Sequence, residues 1–285
     1  MSHSLSQDHE GGTIIVEENM IFNPSTASSL VLAHQVHQAL LNSVSFKQLP
    51  LPIATWFETA EKIGGDFWVS FSHTRQEPTL MEHHPGIMTL QHAPQTDMVI
   101  GIGDVAGHGV AAALIMALSV GIITQLSQSN GPLDALMAAY NQDLTRHLSH
   151  LPARYVTCLM THIQLDRLRL TYVRAGHPPL MMVRDRQVMT LDAGDPMVGM
   201  YPDETFTAHT VALQPGDRLV LYSDGITEAH LPDRCHPFGM DGLMAFLAQH
   251  AHLSADDTME AFSRVRSQWG PLNDDGTIIM IDVPV

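Results

Sequence analysis

The chain has 285 residues, with 30 acidic against 14 basic side chains and a formal net charge of -16, which speaks against an electrostatic hold on nucleic acid or anionic lipid. The length suits one large domain or two small ones, either able to bury a sizeable core. Cys158 and Cys235 stand far apart in no metal-ligand spacing, which fits a reducing compartment. The N-terminus lacks the basic and apolar regions of a secretory signal, and the best apolar run, residues 110–123, falls short of the about 18–20 residues that a bilayer span needs. These features point to a cytoplasmic protein with neither a nucleic-acid nor a membrane partner.

Residues 1–49 read as an N-terminal extension, polar up to about position 26. Ser28 or Ser29 is placed to cap a helix over residues 29–42, in which Leu30, Ala33, Val36, Ala39 and Leu40 recur at helical spacing. That helix either packs on its own domain or serves as a linker pairing two subunits of a homodimer. From residue 50 to 285 the pattern is that of one domain. Short β-like segments come first, at 53–60, 67–71, 86–90 and 97–104. Residues 109–126 form a helix that is apolar nearly all round and reads as buried, followed by an amphipathic helix with Pro132 in its first turn. Strand pairs turn at Asp166-Arg167 and at Asp185-Arg186, and another buried strand leads into Asp224. Helices over 241–250 and 255–268 precede a closing strand in "GTIIMIDV". Hairpins with helices inserted between them argue for an α+β fold of two packed antiparallel sheets flanked by helices.

Four aspartates share one local grammar, at the end of an apolar strand or beside glycine: Asp66 in "IGGDF", Asp104 in "VIGIGDVAGHG", Asp224 in "LVLYSDGITE" and Asp274 in "LNDDGTIIMI". One Asp-Gly pair alone is most simply a turn. Four strand-end acids are harder to dismiss, because a buried unpaired carboxylate is costly and Lys62, near Asp66, is the one base beside them. Hard divalent cations such as Mg²⁺ or Mn²⁺ take oxygen ligands of this kind, and a dinuclear site follows. Gly64-Gly65-Asp66-Phe67 also approaches the GGDEF signature of cyclic-dinucleotide synthesis, but Phe67 stands where glutamate is required. A cysteine phosphatase needs Arg six residues after its Cys, whereas Gln164 follows Cys158 and Asp241 follows Cys235.

The blocks "IGGDFW", "IGDVAGHGVAAALIMA", "YVTCLMTHIQLDRLRLTYVRAGHPPLMM", "LQPGDRLVLYSDGITEA" and "NDDGTIIMIDV", in this order, resemble the metal-dependent PPM-type serine/threonine phosphatases (protein phosphatase type 2C) of the bacterial SpoIIE- and RsbU-like branch. The resemblance covers residues from about 50 to 285. It implies a sandwich of two antiparallel sheets with two Mn²⁺ or Mg²⁺ ions at one end. Asp104 would bridge both ions with the Val105 carbonyl as a further ligand, Asp224 and Asp274 would hold one ion, and Asp66 would serve the other. A water between the ions would attack the phosphoester. His108 is a candidate for orienting water or phosphate, or else lines a turn, and His177 reads as structural. The implied substrate is phosphoserine or phosphothreonine on a small STAS-like antagonist protein in partner-switching control.

Two departures stand out. Relatives commonly carry a second aspartate three positions after the first, where this chain has Val69, so an acid restored at Val69 is expected to strengthen metal binding. They also carry an arginine just before the glycine turn, and Lys62 either replaces it as a phosphate contact or is solvated. These departures motivate the alternative, a catalytically impaired phosphatase-like binding module.

Overall fold

The computed structural model describes residues 29–43, 51–84, 87–129, 131–151, 155–230 and 237–285, with backbone alone at 29–30, 43, 74–84 and 87–96. In chain order, α1 (Ser29–Ser43), β1 (Ile53–Glu58), β2 (Phe67–His84) and β3 (Ile87–Val105) are followed by α2 (Gly109–Leu126) and α3 (Leu133–Leu148). Then come β4 (Val156–Gln164), β5 (Arg169–Ala175), β6 (Leu180–Arg184), β7 (Gln187–Leu191), β8 (His209–Ala212) and β9 (Arg218–Tyr222). A one-turn helix α4 (Asp224–Thr227), α5 (Gly239–Gln249), α6 (Ala255–Arg266) and β10 (Gly276–Asp282) complete the chain. Ser29 is the first helical residue; Ser28 and Cys235 lie outside the described residues.

Two antiparallel five-stranded sheets form, one in the order β1-β10-β9-β6-β7 and the other β2-β3-β4-β5-β8. The alternation of β9 explains the layering, since successive side chains of a strand point to opposite faces. Leu219 and Leu221 join a core shared with Ile100, Ile102 and Leu159 of the other sheet, whereas Val220 and Tyr222 join Leu243, Phe246, Met259 and Phe262 of α5 and α6. Helices α2 and α3 belong to the first of these cores. The result is the expected α+β sandwich, with helices outside both sheets.

Three features depart from the sequence reading. The segments at 67–71, 86–90 and 97–104 are parts of one long hairpin, paired from Phe67↔Gly103 out to His84↔Ile87. Strand β4 pairs with β3 only over Met98–Val105, so the hairpin beyond Asp97 is a two-stranded ribbon. A ladder needs only backbone groups, and polar side chains do not interrupt it. Second, α2 is not buried all round. It buries the stripe Ala112, Ile115, Met116, Ser119, Val120 and Ile123 and leaves Val110 54% and Leu114 68% exposed. With its final turn the helical stretch Gly109–Ser129 has 21 residues and is long and apolar enough to cross a membrane by length and composition, which corrects the shortness inferred from residues 110–123. Third, α4 and the short edge strand β8 carry too little apolar periodicity to be legible.

Helix α1 packs on its own chain, with Leu41 and His37 buried. His34 Nδ1 hydrogen-bonds the Lys62 carbonyl. The Gly64 N–H donates to His37 Nε2 at 3.4 Å, while Leu32 and Val36 remain exposed.

Candidate metal centre

The register places the start of β2 beside the end of β3 and the end of β9 beside the start of β10. The two hairpin-like ends come from different sheets, and side chains join them: Ser223 Oγ and Thr277 Oγ1 donate to Asp66 Oδ2 at 2.7 and 2.6 Å. Asp66, Asp104, Asp224 and Asp274 therefore meet at one end of the sandwich, as their strand-end positions suggested. Their charges act on one another. Asp66 is wholly buried, and burial first, then the Asp104 charge, pushes its carboxyl well above the usual range. Asp104 is raised to about 8 by burial and by the charges of Asp224, Asp274 and Asp275. Burial also raises Asp224, with Glu228 adding to it. Asp274 is raised by burial, opposed by the Asp275 N–H that it accepts at 2.8 Å.

The donor set fits hard divalent cations. Asp66 Oδ1 and Asp224 Oδ1 are buried and accept no hydrogen bond from the protein. Among the described residues, no arginine or lysine forms an ion pair with any of the four acids. Carboxylates that repel one another, desolvated and short of donors, are stabilised by a cation that takes oxygen ligands. Asp66, Asp104, Asp224 and Asp274, with the backbone of Val105 beside Gly65, are the residues that would hold it.

Asp275 was missed by the sequence reading. Its Oδ1 accepts the Ala60 N–H at 2.9 Å and its Oδ2 accepts the Gly65 N–H at 2.7 Å, fastening the turn that presents Asp66. Gly64 must lack a side chain, because a Cβ there would lie 1.8 Å from Asp275 Oδ2. Ser223 and Thr277, which aim Asp66, were missed as well. The doubled acid in "NDDG" is the one available signal, since a second carboxylate next to a ligand is rarely idle at a buried turn.

The flanking residues divide. His108 precedes α2 between Gly107 and Gly109, both at positive φ, and its Nδ1 lies 2.8 Å from Glu61 Oε1 in an exposed pair. Its charge favours ionised Asp274, so it borders the acids. Lys62 is exposed and makes no ion pair among the described residues. His177 is buried, with Nδ1 2.9 Å from Thr157 Oγ1. Desolvation lowers it to about 3, leaving a neutral ring in a structural place. Val69 lies in the hydrophobic core, 3% exposed, packed against Gly101 of the neighbouring strand. It is therefore not a vacant place among the metal ligands, which corrects the expectation that an acid at this position would strengthen the site.

The family model described as stage II sporulation protein E (SpoIIE) matches residues 94–284. The chain belongs to the SpoIIE family. Among curated relatives of this SpoIIE-family chain, the phosphoserine phosphatase RsbP of Bacillus subtilis is 26% identical over 275 residues, 92% of this chain and 59% of RsbP. The phosphoserine phosphatase RsbU of the same organism is 22% identical over 258 residues, 89% of this chain and 70% of RsbU. The chain thus spans 59% of the length of RsbP. The solved SiaA-PP2C domain of Pseudomonas aeruginosa superposes with a TM-score of 0.70 at 23% identity, covering 89% of this chain and 94% of that one. That likeness carries the fold of the SpoIIE-family chain, a protein phosphatase type 2C sandwich.

The mutual repulsion of the acids has a measurable consequence. A carboxyl raised in the folded state binds a proton that the unfolded chain has lost, so stability falls as pH climbs towards the folded pKa. Below about 6.5 the lowered His177 and His37 work in the opposite sense. Between about 6.5 and about 8 the acids are the main contributors among the described groups with a displaced pKa. In EDTA the thermal midpoint is expected to decline across that window, and less steeply when Asp104 is replaced by asparagine. Differential scanning fluorimetry checks this, and a midpoint that rises or stays level would refute the repulsion.

Proposed function

We propose that the chain hydrolyses phosphoserine or phosphothreonine on a protein, with Mg²⁺ or Mn²⁺ at two positions among Asp66, Asp104, Asp224 and Asp274. The observation that carries this reading is the convergence of these desolvated acids, two of them with orphaned oxygens, at one end of a phosphatase-type sandwich. Bound there, the cations supply positive charge that makes water a better nucleophile and offsets the charge developing on phosphoryl oxygens. The chain's own residues do the positioning. Ser223 and Thr277 fix Asp66 Oδ2 so that Oδ1 faces the site, and Asp275 keeps the preceding turn closed. Asp104, in the middle of the set by its interaction with Asp66, Asp224 and Asp274, would be the residue shared between the two cations. The amide end of α2 favours an anionic group nearby, with His108 and Lys62 as phosphate contacts at the rim.

The names of RsbP and RsbU support a phosphoserine substrate, and partner-switching control through a small STAS-like antagonist is the setting we infer for it, in the cytoplasm, with α1 as the segment for a homodimer. The impaired-module alternative is the less favoured reading, because Val69 belongs to the core and all four principal aspartates are present. Turnover of an aryl phosphate and of a phosphoserine peptide, with Mn²⁺, with Mg²⁺ and in excess EDTA, tests the proposal. Metal-dependent turnover that EDTA abolishes is expected. Full activity in EDTA would overturn the mechanism, and no turnover with either metal would favour the binding module.

A further inference from the structure

A second cluster of metal-ligating side chains lies midway along β3, where its pairing with β4 ends. His73 on β2 is directly opposite Asp97 on β3, and His162 on β4 is opposite Val99, two residues along. Three adjacent strands thus bring two imidazoles and a carboxylate to one face, with a ligand atom of each within 4.8 Å of the others. Asp97 is 2% exposed, its Oδ2 lies 2.9 Å from His162 Nε2, and the rings of His73 and His162 are 5.1 Å apart. A cavity of about 10 Å³, bounded by both histidines, Leu126, Ser127 and Gly131, adjoins them. It has room for about one water-sized body.

We propose that His73, Asp97 and His162 bind a divalent transition-metal ion of the zinc class, with the adjoining cavity holding the fourth ligand. Two neutral imidazoles and one carboxylate suit zinc, cobalt, nickel or copper, whereas Mg²⁺ and Mn²⁺ favour all-oxygen sets such as the acidic end. Donors on a tetrahedral ion at about 2.0 Å stand about 3.3 Å from one another. Reaching that spacing from separations of up to 4.8 Å calls for a modest inward movement of the side chains, with the ion taking the place of the hydrogen bond between Asp97 and His162.

An outer layer of support is already built. Gln164 Nε2 donates to Asp97 Oδ2 at 2.8 Å, and Arg169 Nε holds Gln164 Oε1 at 2.6 Å, the kind of buttress that orients a ligating carboxylate. Asp97 and Asp104 are seven residues apart along β3, on the order of 23 Å, so the two centres are separate. The bound ion fastens the root of the β2–β3 ribbon beside the α2–α3 turn.

The test is titration of the full-length chain carrying Asp104→Asn with Co²⁺ in excess Mg²⁺, read by visible ligand-field absorption, which needs no catalysis. One equivalent with an imidazole-type tetrahedral spectrum is expected, displaced by Zn²⁺. His73→Gln and His162→Gln should each abolish that spectrum, and Gln164→Ala should weaken binding by about 10- to 100-fold. Circular dichroism confirms that each variant is folded. Should a histidine variant fail to fold, the parental spectrum and the Gln164→Ala shift decide. No tetrahedral spectrum in the parent, or an unchanged spectrum in both folded histidine variants, overturns the proposal.

Discussion

Replacing Asp104 by asparagine is expected to abolish phosphoester hydrolysis while raising the thermal midpoint of the metal-free protein. Asp104 is pressed by the charges of Asp224, Asp274 and Asp275 on top of its burial, so its ionised form weakens the fold unless a cation is bound. Asparagine removes that charge and brings an N–H within reach of Asp66, whose Oδ1 has no protein donor. The gain at neutral pH is a few kcal/mol at most, since part of the repulsion is already relieved by proton uptake. The loss of activity should be at least about a hundred- to a thousandfold, the scale on which removal of one preorganised electrostatic group is felt at a transition state. Steady-state turnover with Mn²⁺ and thermal melts in EDTA measure the two effects side by side. Near-parental turnover would remove Asp104 from its bridging role, and a lowered metal-free midpoint would show its charge to be welcome.

Val69→Asp should act in the opposite direction from the sequence-based expectation. The side chain is 3% exposed within the main core and pairs across the sheet with Gly101, where a Cβ would come within 3.0 Å of Val69 Cγ2. An aspartate there buries a carboxylate with no base or donor at hand, at a cost of about 3–5 kcal/mol. Against a total stability of about 5–15 kcal/mol, that is a large fraction. Urea unfolding of both proteins gives the difference directly, and the Mn²⁺ midpoint of any folded mutant should be no tighter than the parent's. Tighter metal binding with unchanged stability would place residue 69 in the metal centre after all.

What could be seen in the sequence was what a local pattern encodes. Asp104 and Asp224 follow apolar runs that can only be buried strands, and a bare acid at such a point announces a cation. The sandwich was legible for the same reason, through alternation and turn chemistry, and the five-block resemblance fixed its order. Asp275 was less visible, because the direction a side chain takes from a bend is not set by a simple alternation. Nothing in "NDDG" says which carboxylate faces the other acids and which grips the backbone of Ala60 and Gly65. Val69 was misread because comparison with relatives counts positions, whereas burial depends on which side of β2 a side chain leaves. His73, Asp97 and His162 are spread over 90 positions of chain, and strand pairing alone unites them.

The turn from Ala60 to Gly65 is held from two sides. Asp275 takes the N–H groups of Ala60 and Gly65 from the floor, and His34 and His37, one helical turn apart on α1, take the Lys62 carbonyl and the Gly64 N–H from above. The upper jaw of this clamp is a helix whose far side, at Leu32 and Val36, is bare. Rotating α1 by a single residue would swing both imidazoles about 100°, taking them off the turn. Whatever grasps the bare side therefore holds a handle on the loop that carries Asp66 without approaching the acids, and a protein cut at residue 49 would keep every metal ligand yet lose that handle.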